Sequence, residues 1–192
     1  NCFAISAREE LFEIGVPEVS VWTGSTENFE NRTKTELLEL YKVYDYFFRR
    51  LEKKAVSNKV KIKFIGKIKI LPNKLLNLIK SITRKTANYN KRTLNVLINY
   101  SGKFELLQVF KKLHKINNGK ITEKYIDENL LVKTPVDFII RTGGYSRLSN
   151  FMLWQSTYAE IYVTKTLLPD FSKKEFMKSL KWFNSIKRNF GK

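Results

Sequence analysis

The sequence predicts an α/β fold in which helices flank a parallel sheet. Short runs rich in β-branched residues alternate with longer segments that repeat apolar residues every three or four positions. Strands that alternate with helices in this way are typical of a parallel sheet covered on both faces. Neither an internal repeat nor a low-complexity linker interrupts residues 1–192, so we expect one domain with a substantial core.

The predicted strands are short and apolar, and one of them alternates apolar residues with lysine as a half-exposed strand does. They cover residues 19–23, 60–65, 93–98, 136–140 and 161–163. The predicted helices share an apolar face with helical spacing. They cover residues 3–14, 34–54, 73–86, 103–114, 122–130 and 172–188. Thr122 and Ser172 are suitable N-caps, and a turn is expected at 117–119.

The net charge of +18 favours contact with anions, which could be a small-molecule substrate, a membrane surface or a nucleic acid. The lysines are scattered through 49–70, 74–92 and 111–124, so a merely solvated surface explains many of them equally well. No motif resembles an aromatic RNA-binding strand or a helix-turn-helix, and we therefore expect no nucleic-acid partner.

Cysteine content and hydropathy indicate a cytoplasmic protein. The single cysteine, Cys2, excludes an internal disulfide and a multi-cysteine zinc site. No apolar run approaches the roughly 20 residues that span a bilayer. Acidic residues such as Glu9 and Glu10 interrupt the N-terminal apolar residues, unlike a secretory signal. Contact with a membrane surface remains compatible with the charge.

Residues 139–155, IIRTGGYSRLSNFMLWQ, predict a phosphate or diphosphate pocket. A buried strand runs into Arg141, a glycine turn follows, and Arg147 comes six residues after the first arginine. Ligands of α/β sheets bind at the carboxyl ends of strands, and a guanidinium matches phosphate oxygens two at a time. We expect the glycines to let backbone N–H groups approach the anion and a helix from Phe151 to Trp154 to add its positive end.

The same stretch resembles the C-terminal signature of the cis-prenyltransferases, over IRTGGYSRLSNFMLWQSTYAEIY at residues 140–162. The resemblance extends over nearly the whole chain. It includes STENF at 25–29, FIG at 64–66, TLN at 93–95, NYSG at 99–102 and LPDF at 168–171. It implies a parallel sheet flanked by helices with a hydrophobic tunnel. It also implies condensation of isopentenyl diphosphate with an allylic prenyl diphosphate into a cis-polyprenyl diphosphate, a lipid carrier.

The resemblance assigns roles to residues near the glycine turn. Arg141, Arg147 and Ser149 match the residues that hold isopentenyl diphosphate. Glu160 matches a carboxylate that ligates Mg²⁺, and one carboxylate suffices when substrate phosphates supply the other ligands. The aspartate-rich Asp-Asp-x-x-Asp motif of trans-type enzymes does not occur in the sequence.

The resemblance also implies a role for the turn at residues 25–29. Ser25 and Asn28 match residues that position the reacting groups, and Glu27 and Phe29 match residues beside the substrates. The alternative is a simple turn or cap. The family's next arginine is displaced by one position, to Arg32, and the C-terminal arginine is displaced to Arg188. In the family that tail reaches across a homodimer, which we expect here by resemblance only.

The helix at 34–54 carries an aromatic face that includes Tyr44, Phe47 and Phe48. In the family the corresponding helix lines the tunnel, but a face that only fills core would show the same periodicity. Both alternatives remain open from the sequence. If these side chains line a tunnel, their bulk would limit the length of the product.

Family members begin with a strand and an Asp-Gly-Asn-x-Arg segment, which residues 1–192 do not contain. The chain is either an N-terminally incomplete part of a longer protein, or a short inactive member or subunit that depends on a partner. Losing a core strand would expose an apolar sheet edge, which favours the first explanation. We expect little turnover from residues 1–192 alone. The alternative function is that of a noncatalytic or partner-dependent subunit of a cis-prenyltransferase.

Overall fold

A computed structural model describes residues 16–114 and 121–189 of the chain. Within these residues the strands form two separately hydrogen-bonded parallel sheets. The first has the order β1-β3-β2 and the second pairs β4 with β5. Their bounds are β1, Glu18–Gly24; β2, Lys61–Ile65; β3, Thr93–Ile98; β4, Phe138–Arg141; and β5, Glu160–Val163. The predicted strands are confirmed, with shifts at their ends.

Helices connect the strands and lie close to the predicted positions. Their bounds are α1, Thr26–Asn31; α2, Lys34–Ser57; α3, Asn73–Thr86; α4, Gly102–His114; α5, Glu123–Asn129; and α6, Lys173–Ser185. Short 3₁₀ helices span Ile68–Ile70 and Leu168–Asp170. Thr122 and Ser172 cap α5 and α6 as predicted, although α6 ends before residue 188. The helix predicted at 3–14 and the turn at 117–119 lie outside the described residues.

One predicted helix is wrong. The apolar run from Phe151 to Trp154 forms consecutive turns, not an α-helix. Asn150 and Met152 have φ of +69° and +39°, which are left-handed values that an α-helix does not contain. Met152 is fully buried against Leu97 and Tyr100. Tertiary packing therefore overrides the local helical pattern.

The main core lies between the three-stranded sheet and the helices α2 and α3. Tyr44 and Phe48 are 1% and 3% exposed, and their rings stack at 5.3 Å. Phe48 also meets the ring of Phe64 on β2 edge to face, at 5.0 Å. Of the two alternatives for the aromatic face of α2, core is therefore correct at Tyr44 and Phe48. Phe47 is only partly buried against the same cluster.

A second apolar cluster joins the carboxyl end of β3 to the segment that follows the arginine turn. Leu97 and Tyr100 pack with Val132 and Met152, and all four are buried. The ring of Trp22 on β1 lies 5.5 Å from that of Phe151. This cluster brings the ends of β1 and β3 close to the residues that follow β4.

Candidate active site

Arg141 is the last residue of β4, and its side chain reaches the segment that follows. Its Nη2 donates to the Ser149 Oγ at 3.4 Å, while its Nε is buried without a partner among the described residues. Burial lowers the pKa of Arg141, and the positive charge of Arg147 lowers it further. Two guanidinium groups close enough to repel each other, one with an unsatisfied donor, form a site that an anion would stabilise.

Arg147 is exposed, and its guanidinium lies 4.2 Å from the centre of the Tyr145 ring. This distance is typical of a cation–π contact, which holds a long side chain in one place. Ser149 has φ +50°, and its hydroxyl oxygen accepts the hydrogen bond from Arg141. The structure thus brings together the three residues expected to hold one diphosphate.

The glycine turn does not contribute free N–H groups, contrary to expectation. Gly143 and Gly144 have φ of +87° and +79°, as the glycine pair suggested. Their N–H groups donate to the carbonyls of Thr166 and Thr164 at 3.1 and 2.8 Å. The glycines therefore fix the turn against the chain that follows β5. With no helix after Ser149, the side chains of the arginines carry the positive charge of this site.

The turn after β1 is a short helix with a reciprocal cap. The Ser25 Oγ accepts from the Asn28 N–H at 3.1 Å, and the Asn28 Oδ1 accepts from the Ser25 N–H at 3.2 Å. This capping box fixes the first turn of α1. Phe29 is 6% exposed and packs under Gly24, where a Cβ would lie 2.9 Å from the ring. Phe29 therefore supports this turn from the core.

Glu27 is joined through Asn150 to the segment that follows β4, residues 141–155, called here the arginine segment. The Asn150 Nδ2 donates to the Glu27 Oε1 at 3.0 Å, and the Thr26 hydroxyl donates to the other carboxylate oxygen at 3.1 Å. The pKa of Glu27 is lowered, first by a hydrogen bond from its own backbone and also by the bonds from Asn150, Ser25 and Thr26. The candidate site thus has two halves, residues 25–28 after β1 and residues 141–149 after β4, and the Glu27–Asn150 bond connects them directly.

Arg32 lies beside the core tyrosine of α2. Burial raises the pKa of Tyr44 to about 12, and its hydrogen bond with Thr23 and the charge of Arg32 act against this rise. The Arg32 Nη1 is buried and has no partner among the described residues. A second guanidinium with an unsatisfied donor thus lies near the end of β1, although it is displaced by one residue in sequence.

Glu160 lies away from the arginine pair along β5. Arg141 is paired with Val163, whereas Glu160 is paired with Phe138 at the other end of the strands. Three residues of strand correspond to roughly 10 Å. Arg188 lies near this end, where it donates to the Asp137 carboxylate at 2.7 Å and to the Tyr158 carbonyl at 3.3 Å. In this chain Arg188 is thus paired internally.

A cavity of about 620 Å³ lies between β1 and β4. Arg141 and Arg147 both line it, together with apolar residues of the two strands and of α6. Among the described residues β1 pairs only with β3, and β4 only with β5, so each has an unpaired edge. The two arginines therefore border one shared space and do not face unrelated surfaces.

Sequence reasoning missed two polar residues of this region, Asn150 and Glu105. Glu105 is 1% exposed and accepts from the Tyr100 hydroxyl at 2.5 Å and the Gln155 Nε2 at 2.9 Å. It also accepts from the Leu131 N–H at 2.6 Å. The sequence did contain a signal for Glu105, because its spacing in α4 puts it on the same buried face as Val109 and Leu113.

A parallel α/β fold with two arginines after one strand, linked through Asn150 to a capped polar turn, is the arrangement expected of an enzyme that acts on a diphosphate. Comparison with known proteins identifies its family. The model of the prenyltransferase family described as "Putative undecaprenyl diphosphate synthase" matches residues 5–191. The chain therefore belongs to this family, the cis-prenyltransferases.

Individual relatives agree with this assignment. An isoprenyl transferase of Aquifex aeolicus is 34% identical over 186 residues, which are 96% of this chain and 80% of that protein. A ditrans,polycis-undecaprenyl-diphosphate synthase specific for (2E,6E)-farnesyl diphosphate, from Buchnera aphidicola, is 34% identical over 91% of this chain and 72% of its own length. The crystal structure of a probable undecaprenyl diphosphate synthase from Campylobacter jejuni is 30% identical, covering 98% of this chain and 91% of that one, with a TM-score of 0.89.

Proposed function

We propose that this prenyltransferase binds the diphosphate of isopentenyl diphosphate between Arg141 and Arg147. It condenses that substrate with an allylic prenyl diphosphate to form a cis-polyprenyl diphosphate. The observation that carries the proposal is that Arg141 and Arg147 line one cavity, while Arg141 contacts Ser149 and has a buried, unsatisfied Nε. A diphosphate supplies several acceptor oxygens and more than one negative charge. It would satisfy that donor and would offset the effects of burial and of the Arg147 charge, which both lower the pKa of Arg141.

The turn after β1 is the complementary half of the proposed site. Ser25 is buried and Asn28 is exposed, and their capping box presents α1 toward the arginine segment through Glu27 and Asn150. In the proposed reaction the allylic carbon–oxygen bond breaks while the double bond of isopentenyl diphosphate attacks the same carbon. A proton then leaves the new chain. We assign to Ser25 and Asn28 the positioning of the reacting groups, and to Glu27 and Phe29 the support of this turn beside the substrates.

Mg²⁺ is part of the proposal, with Glu160 as the protein ligand. The described residues contain no group of three or more His, Cys, Asp or Glu side chains able to hold a metal. Mg²⁺ is commonly bound by one or two carboxylates together with substrate phosphates, and a single glutamate fits that chemistry. When bound, the metal would neutralise charge on the departing diphosphate. Glu160 would hold such a metal from the end of β5 opposite the arginine pair, about 10 Å from Arg141 along the sheet.

We also propose a homodimer that involves the surface around β5. This strand has an unpaired edge among the described residues, and Tyr158, Val163 and Leu167 are exposed around it. Trp182, whose ring lies 5.3 Å from that of Tyr162, is also 36% exposed. Clustered exposed apolar side chains are typical of protein interfaces. Light scattering should give twice the protomer mass, and Val163→Lys should reduce it. An unchanged mass in the variant would place any interface elsewhere.

We further propose a cytoplasmic protein that contacts membrane surfaces peripherally. In the described part of the chain, no helix is long and apolar enough to cross a membrane. The net charge of +18 would attract an anionic leaflet, within which a polyprenyl product dissolves. Sedimentation with vesicles containing phosphatidylglycerol should exceed that with phosphatidylcholine alone and should fall with salt. Equal sedimentation with both would contradict this contact.

The function is tested by incorporation of radiolabelled isopentenyl diphosphate. Protein expressed from its complete gene is incubated with farnesyl or geranylgeranyl diphosphate and Mg²⁺, and labelled polyprenyl product is extracted into organic solvent. We expect long-chain product, and much less of it with Arg141→Gln. A protein that incorporates label only after mixing with a catalytic partner would instead be a partner-dependent subunit. Absence of product in both arrangements would contradict the proposed function.

A further inference from the structure

The candidate site is built from two sheets that share no strand pairing among the described residues. Ser25 to Asn28 follow β1 in the first sheet, whereas Arg141 to Ser149 follow β4 in the second. Two bound reactants must be held with their reacting atoms about 3–3.5 Å apart, and a displacement of ~1 Å can lower the rate ~100-fold. Some contact must therefore fix the distance between the two half-sites.

Asn150 makes three hydrogen bonds that connect them. Its Nδ2 donates to the Glu27 Oε1 at 3.0 Å, and its Oδ1 accepts from the Lys103 N–H at 2.9 Å. Its backbone carbonyl accepts from the Gly102 N–H at 2.7 Å. The amide orientation is determined by the partners, because a carboxylate only accepts and a backbone N–H only donates. Asn150, which directly follows Ser149, thus contacts the turn after β1 through its side chain and the start of α4 through its side chain and backbone.

The backbone around Asn150 leaves little room for adjustment. Its φ of +69° is a conformation that Asn, Asp and Gly tolerate better than other residues. At Gly102 a Cβ would lie 2.7 Å from the Leu153 Cγ and 2.8 Å from the Leu153 N, so α4 begins in direct contact with this segment. Asn150 is therefore held at a closely packed junction.

The far end of the arginine segment has its own anchor. The Gln155 Nε2 donates to the buried Glu105 carboxylate at 2.9 Å and to the Val132 carbonyl at 2.9 Å. Glu105 lies in α4, the same helix whose first N–H groups contact Asn150. Breaking only the link from Asn150 to Glu27 would leave the segment attached to α4 at both ends. The expected consequence is a shift between the half-sites and not unfolding of the segment.

We propose that Asn150 is a positioning residue that sets the distance between the Ser25–Asn28 turn and the Arg141–Ser149 diphosphate site. The proposal rests on the proposed function, since it concerns the alignment of two bound diphosphates. Each half-site keeps its own contacts when the link is broken. Substrate binding should therefore change little, whereas the rate of condensation should fall.

Asn150→Asp breaks the link selectively. Aspartate keeps an acceptor for the Lys103 N–H, and a negative charge at the start of α4 is favourable. It also tolerates the positive φ. Against Glu27, however, it places two carboxylates where a donor and an acceptor met. We expect kcat to fall roughly 10- to 100-fold, with the KM of isopentenyl diphosphate within about threefold and Tm lowered by no more than about 4 °C.

Glu27→Gln provides a matched background in which the effect of Asn150→Asp can be measured again. The glutamine side chain that it introduces retains an acceptor for Asn150. In the double variant the same glutamine can donate to the aspartate introduced by Asn150→Asp, with the direction of the bond reversed. Relative to Glu27→Gln alone, the double variant should have a kcat lower by less than about threefold. This holds whatever the effect of Glu27→Gln on kcat by itself. Asn150→Gly, which keeps the backbone but removes both side-chain bonds, should lower kcat in either background.

The outcomes separate this inference from the proposed function. If wild-type protein makes polyprenyl product but Asn150→Asp lowers kcat equally in both backgrounds, Asn150 does not act through Glu27 and the inference is wrong. The inference also fails if Asn150→Asp is no longer folded at the assay temperature, or if the loss follows a fall in the bound fraction measured by calorimetric titration. If wild-type protein makes no product, the proposed function itself fails. Calorimetric titration with isopentenyl diphosphate then still tests the arginine site.

Discussion

The three-stranded sheet and the two-stranded sheet differ in how completely their apolar surfaces are covered. On β3, residues Leu94, Val96 and Ile98 are all buried between helices and neighbouring strands. On β5, by contrast, Ile161 and Val163 are each 38% exposed, and one edge of the strand is unpaired among the described residues. The first region therefore supplies most of the buried core, whereas the second presents the arginines and an open apolar surface. We therefore expect substitutions in the first region to lower mainly stability, and substitutions in the second region to lower mainly substrate binding.

The largest expected effect is on stability, from Phe48→Ala. Phe48 is 3% exposed and contacts both Tyr44 and Phe64, so truncation should lower the free energy of unfolding by about 3–5 kcal/mol. Trp182→Ala in the two-stranded region removes a larger but partly exposed ring and should cost less. Urea denaturation of both variants measures the difference. A larger loss for Trp182→Ala would reverse the comparison.

The next effect is on substrate use, from Arg141→Gln. Loss of a charge-assisted hydrogen bond costs about 1.5–3 kcal/mol, so kcat/KM for isopentenyl diphosphate should fall about 10- to 100-fold. The free energy of unfolding should stay the same or rise slightly. A cation whose pKa is lowered on folding is disfavoured in the folded state, and its removal relieves that cost.

Arg84→Gln is the matched control for this change. Arg84 is exposed near the end of α3, in the three-stranded region. The control should leave kcat/KM and stability nearly unchanged. Equal losses of kcat/KM in both variants would show that general positive charge, and not the arginine pair, attracts the substrate.

A smaller effect is expected at the other end of the two-stranded sheet, from Glu160→Gln. If Glu160 ligates Mg²⁺, the variant should need about tenfold more Mg²⁺ for half-maximal rate, since a lost carboxylate ligand weakens the hold on the metal. Its affinity for isopentenyl diphosphate without metal should be unchanged. Excess EDTA should abolish turnover in both proteins. A normal Mg²⁺ requirement in Glu160→Gln would place the metal elsewhere and leave the arginine site unaffected.

The smallest change in rate is expected from Phe47→Ala, which tests whether the core region also limits chain length. Phe47 is half-buried on α2, beside the fully packed Tyr44 and Phe48. If the helix lines a tunnel at this position, the variant should make products longer by one or a few isoprene units. Chromatography of the dephosphorylated products gives their length. Products of unchanged length would make Phe47 another core residue.

The regular elements of both regions could be predicted from the sequence because each follows a local rule. The run at 93–98 is mostly apolar and became the central strand β3, buried along nearly its whole length. The spacing of Leu37, Tyr44, Phe48 and Leu51 predicted α2, whose inner positions now pack on the sheet. The arginine pair could be placed at one site since both residues flank one short turn.

The arrangement of the candidate site depends on contacts that the sequence does not show. The Glu27–Asn150 bond joins residues 123 positions apart. The segment after Ser149 has a helical pattern of apolar residues, yet burial of Met152 and contact with Gly102 impose turns there. The N–H groups of Gly143 and Gly144 were expected to face an anion, but they pair with carbonyls beyond β5. Each of these features depends on a contact with a residue that is distant in the sequence.

The most direct test of the account is a crystal structure of the protein with isopentenyl thiodiphosphate. We predict that oxygens of one diphosphate lie within about 3 Å of guanidinium nitrogens of both Arg141 and Arg147, with the Ser149 hydroxyl as a further donor. A diphosphate bound at full occupancy elsewhere, with both arginines still facing solvent or each other, would contradict the central claim.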